Sequence, residues 1–149
     1  MNEIKKIMVP VDFSENSQKI LRTAADFAAR FKAELAVVFV VQNFDDYSGF
    51  FVPHMPIIQL EEEMVNSARE KMKGFVTETL DDTVRHATAI LSGDVVEEIN
   101  RFASEQKADL IVMGTHGYKG LDKILFGSVA EKIVKTAPCP VLTINPYRS

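Results

Sequence analysis

Leu110-Ile111-Val112-Met113-Gly114-Thr115-His116-Gly117, followed nine residues later by Gly127-Ser128, is the stretch from which the fold can be read. The apolar run Leu110 to Met113 is too short for a helix and reads as a buried strand. It runs into glycines, which tolerate positive φ and let a backbone pass close to a neighbour or a ligand. Ser128, with Glu131 three residues on, reads as the start of the next helix. Strand, glycine loop and helix in that order form the building unit of a parallel α/β sheet.

The same unit repeats on both sides of this stretch. Ile4 to Val11 is apolar apart from Lys5 and Lys6 and predicts a buried first strand ending at Asp12. Ser14 is a suitable N-cap for a helix to about Phe31, with Ile20, Leu21, Ala24, Phe27, Ala28 and Phe31 on one face. Glu34 to Val41 is a second strand. Pro53 and Pro56 argue against regular structure in the connection from Gln42 to Pro56, and helical spacing resumes from Ile57 to Leu80. Thr83 to Leu91 is a more polar strand, expected nearer a sheet edge. Asp94 caps a helix to about Gln106, and Val141 to Ile144 is the last strand. The expectation is one domain over residues 1–149. Its class is α/β: a three-layer, open parallel five-stranded sheet with helices on both faces.

Composition narrows the function. Of the 149 residues, 46% are apolar and 26% charged, the balance of a folded soluble domain rather than a disordered chain. No apolar run approaches a membrane span, and the N-terminus lacks the pattern of a signal peptide. The formal charge of −4 argues against a nucleic-acid binder, so neither membrane nor nucleic acid is an expected partner. A single cysteine excludes an internal disulfide framework and fits a reducing, cytoplasmic setting.

Chemistry is expected where the glycine loop meets a helix start. Free N–H groups and the positive end of a helix dipole make a cradle for anions such as phosphates. From Gly114 to Thr136 four lysines face Asp122 and Glu131, a local charge of +2. The P-loop pattern GxxxxGK[ST] is absent, as is GxGxxG after the first strand, where Pro10-Val11-Asp12-Phe13-Ser14 stands instead.

Gly114-x-x-Gly117, nine residues, then Gly127-Ser128 resembles the ATP-binding pattern of the universal stress protein family, G-2x-G-9x-G-[S/T]. Val9-Pro10-Val11-Asp12-Phe13-Ser14, Ala108 to Met113 and Pro138-Cys139-Pro140-Val141-Leu142 resemble that family's first, fourth and last strands. The resemblance implies strand order 3-2-1-4-5, with Asp12 and Gly114 brought to one crevice. It implies that Asp12 accepts from ribose hydroxyls or helps hold a Mg²⁺ or Mn²⁺ carried by the phosphates. Val41 would pack on adenine with Pro10 and Met113 nearby, and Gly114 would pass close to the ribose. Backbone N–H groups of Gly117, Gly127, Ser128 and Val129 would face the phosphates. The implied function is an ATP-binding stress-response protein that switches conformation or an unidentified protein partner. The implied assembly is a homodimer through Val141 to Ile144. Two alternatives stand beside it: a slow ATPase or phosphoryl-transfer enzyme, and a dimeric interaction module that holds no nucleotide.

Other residues read more plainly. His116 is expected to be a turn residue rather than a catalytic one, and Lys119 and Lys123 to be solvated. His54 and His86 have no partners at metal-ligand spacing. Cys139, between two prolines, is expected to be a small buried residue. Phe44, Tyr47, Phe50 and Phe51 crowd into eight residues as a satellite cluster, a lid or a partner surface.

Overall fold

The computed structural model describes residues 3–42, 57–116 and 122–148. Five parallel strands, β1 (Lys6–Pro10), β2 (Glu34–Gln42), β3 (His86–Gly93), β4 (Leu110–Gly114) and β5 (Val141–Ile144), lie in the order β3-β2-β1-β4-β5. Between them in sequence run α1 (Glu15–Phe31), α2 (Ile57–Thr79), α3 (Val95–Glu105) and α4 (Asp122–Thr136). Chain direction across the sheet reverses between β1 and β4, which are hydrogen-bonded neighbours through Ile7 with Leu110 and Met8 with Ile111.

Side chains that alternate along each strand divide the core in two. Ile7, Val9, Leu35, Val37, Leu110 and Val112 face one way, onto Ile20, Leu21, Ala24 and Ala28 of α1 and Met72, Phe75 and Val76 of α2. Met8, Val38, Val40, Ile111 and Met113 face the other way, onto Ile99 and Ala103 of α3 and Ala130 and Ile133 of α4. Because β1 and β4 are buried on both faces, they read in the sequence as apolar runs, β1 from Ile7 onward. β3 is an edge strand, as its polarity implied.

The helix starts are local in origin. Ser14 has extended backbone and its side chain accepts from the Ser17 amide; Asp94 does the same for Glu97. The exception is α4, which begins at Asp122 and not at Ser128. The run Asp122-Lys123-Ile124-Leu125-Phe126 holds no helix breaker, so the helix forms early and carries Gly127 inside it. That inclusion costs about 1 kcal/mol relative to alanine.

Candidate functional site

Beyond the carboxyl ends of β1 and β2, where open parallel sheets bind their ligands, lies a cleft of about 890 Å³. Its wall includes Pro10, Asp12, Phe13, Val41, Lys71, Ile99 and Val129, drawn from both faces of the sheet. That size and its largely apolar lining, with a few polar groups, suit a nucleotide-sized molecule.

Asp12 is the most elaborated residue of the cleft. Phe13 has a left-handed backbone (φ 66°), unusual for a residue with a Cβ. Its cost is offset by packing: the Phe13 ring lies 4.6 Å from that of Phe39 and 5.6 Å, edge-on, from that of Phe75. The turn brings the Ser14 amide back to Asp12 Oδ1 at 3.0 Å. The Ser14 and Ser17 hydroxyls donate to the same oxygen at 2.5 and 2.7 Å. Oδ2 is buried and has no hydrogen-bond partner among the described residues.

The other expected site residues are distributed unevenly. Pro10, Asp12, Val41 and Val129 share the cleft wall. Met113 is completely buried in the core against α3 and α4 and is not among the residues lining the cleft. Gly114 is buried at the end of β4, where a Cβ would lie 3.2 Å from both Ile20 Cγ1 and the His116 carbonyl oxygen. Close packing, and not a positive φ, is what requires glycine there. Gly127 differs: among the described residues a Cβ would meet only the Thr115 carbonyl oxygen, at 3.7 Å, an ordinary contact. Protein packing therefore leaves room at Gly127. Ser128 is exposed on α4. The expectation that the amides of Gly127, Ser128 and Val129 form the open end of a helix is overturned, since a helix leaves only its first four N–H groups free. Those groups lie at the start of α4 around Asp122, ahead of Gly127. Gly117, Lys119, His54 and the aromatic run Phe44 to Phe51 lie outside the described residues, as does the Lys123 side chain.

Phe13, Phe39 and Lys71 line the cleft without having been expected there. The aromatic pair had a faint signal in the bulky residue beside Asp12; Lys71 had none, because its place depends on how α2 packs. His116 is held structurally, with Nδ1 2.8 Å from Thr115 Oγ1 and its ring edge-on to Tyr147 at 5.2 Å. Cys139 is half-buried, not fully buried. Burial, with a smaller contribution from Asp109, raises its thiol above the ordinary range. Among the described residues no three His, Cys, Asp or Glu side chains gather as a metal site, and no helix is long and apolar enough to cross a membrane.

The chain is thus an open-sheet parallel α/β domain with a cleft beyond the carboxyl ends of β1 and β2. More narrowly, the chain belongs to the universal stress protein family, whose model matches residues 3–145. It is similar to universal stress protein MJ0531 of Methanocaldococcus jannaschii, at 39% identity over 97% of this chain and 84% of that one. Universal stress protein A homolog 1 of Coxiella burnetii is 37% identical over 94% of this chain and 95% of its own length. Among solved structures, MJ0577 of Methanocaldococcus jannaschii superposes with a TM-score of 0.77 at 28% identity, covering 99% of this chain and all of the other. The same fold is seen in an Archaeoglobus fulgidus universal stress protein solved in complex with dAMP. That chain is 24% identical, with a TM-score of 0.58, covering 97% of this chain and 100% of its own.

Proposed function

We propose that this protein binds ATP in the cleft and that nucleotide occupancy sets which partner it engages in a stress response. The observation that carries this reading is the cleft wall itself. Pro10, Asp12, Val41 and Val129 come from separate elements to one nucleotide-sized opening, and Val129 directly follows Ser128 in the chain. The absence of a tight contact from the described residues at Gly127 supports close approach of a ligand. In this reading Pro10, Val41 and Val129 pack on the base, and Asp12 faces the ribose. Phosphates lie toward Gly117, the start of α4 and the Ser128 hydroxyl, and Gly114 shapes the strand end beneath.

A Mg²⁺ or Mn²⁺ fits this donor set only as a passenger of the phosphates. Asp12 Oδ1 already receives three protein donors, leaving a single oxygen for any ion. When bound, the ion would supply charge neutralisation. The switch works only if the two conformations differ in nucleotide affinity. A cytoplasmic homodimer paired through β5 completes the proposal.

The test is isothermal titration of the purified protein with ATP and magnesium, together with chromatography of nucleotide released on denaturation. Binding at micromolar to low-millimolar ATP is expected. No heat and no released adenine nucleotide would leave the interaction-module reading. ADP formation in a single turnover that Asp12→Ala abolishes would favour the ATPase reading.

A further inference from the structure

Asp12 and two serines form a closed hydrogen-bond ring in which each proton has one destination. Ser14 Oγ accepts from the Ser17 amide at 3.2 Å and spends its only proton on Asp12 Oδ1. Ser17 Oγ accepts from the Asp12 amide at 2.8 Å and likewise spends its proton on Oδ1. Both serines are buried, at 8% and 5% exposure, so water does not compete for these bonds. The ring holds the carboxylate in one orientation, with Oδ1 fully engaged by the protein. The other oxygen is buried without a donor among the described residues. A buried charged acceptor left unpaired is costly, and such an atom calls for a partner.

We propose that Ser14 and Ser17 are positioning residues that commit Oδ1 to the protein and leave Oδ2 as a one-hydroxyl acceptor, making the site selective for nucleotides that carry one particular ribose hydroxyl. The inference rests on the nucleotide reading above. An ionised carboxylate only accepts, so the missing partner is a donor and not a phosphate oxygen or a carbonyl. A free carboxylate would take both hydroxyls of a ribose, one on each oxygen. With Oδ1 spent, only one hydroxyl can gain a charged acceptor, and the two hydroxyls become unequal.

The test compares ATP, 2′-deoxy-ATP and 3′-deoxy-ATP by isothermal titration against the wild-type protein. One deoxynucleotide should bind roughly tenfold to a hundredfold more weakly, the range of a hydrogen bond to a charged group, while the other binds like ATP. Equal weakening by both, or by neither, would overturn the proposal. Ser17→Ala and Ser14→Gly, each checked for an unchanged fold by circular dichroism, should bring the two deoxynucleotides closer to each other in affinity. Ser14→Gly is included because glycine keeps most of the helix cap while removing the hydroxyl. A folded variant that retains the full wild-type ratio would show that the serines do not position Asp12. Failure of the wild-type protein to bind ATP would instead remove the nucleotide reading from which this one starts.

Discussion

Gly127 and Gly114 are the same residue type in one motif, yet they answer to different forces. Gly114 is required by its own protein, because Ile20 and the His116 carbonyl stand where a side chain would go. Gly127 is not, and as a helix-interior glycine it lowers stability relative to alanine. The two effects separate in one substitution series. Gly127→Ala should raise the stability of the empty protein by up to about 1 kcal/mol in urea unfolding. Gly127→Val should weaken ATP binding in titration calorimetry without unfolding the protein. Unchanged ATP affinity in the valine variant would mean that no ligand approaches this position. The sequence could mark both glycines as special, but not which of them serves packing.

At the scale of elements, most boundaries were legible because caps and breakers act locally. Ser14 and Asp94 were readable as N-caps, and each accepts from the amide three residues on, at 3.2 and 3.0 Å. Asp94→Ala should destabilise the protein by about 1 kcal/mol, seen as a lower urea midpoint with an unchanged slope. A shift far smaller than that would mean that α3 is held by the packing of its own Ile99 and Ala103 on the sheet alone. The start of α4 was misread for a physical reason. Ser128 and Glu131 imitate a capping box, while the helix-forming run before Gly127 lets the helix start at Asp122 and absorb the glycine. Where an internal glycine and a cap-like pair coincide, local propensity does not decide between them.

At the scale of the whole molecule, β5 lies at the end of the sheet opposite β3. The Pro140 and Ile144 carbonyls accept from the Ile111 and Thr115 amides of the β4 side. Alternation along the strand therefore turns the amides of Val141 and Thr143 toward the open edge. An apolar edge of this kind favours pairing with a second copy, and a two-fold arrangement of identical strands is antiparallel. Thr143→Pro removes an outward amide without breaking the β4 ladder, which proline tolerates only on such an edge. Sedimentation equilibrium should show a wild-type dimer and a folded, monomeric Thr143→Pro protein. A variant that still dimerises would place the interface elsewhere.

The amino-acid sequence by itself determined the alternation of strands and helices, the two-sided burial of β1 and β4, and the caps of α1 and α3. These follow from periodicity and from hydrogen bonds between near neighbours, which a linear reading contains. Its resemblance to the universal stress protein family also marked Pro10, Asp12, Val41 and Val129, which share one cleft. Only the tertiary structure decided that Met113 is consumed by the core, that α4 begins early, and that two serines engage one oxygen of Asp12 while the other has no partner among the described residues. Those outcomes depend on which surfaces meet across the sheet and where each proton goes, and such relations arise only once distant segments have packed together.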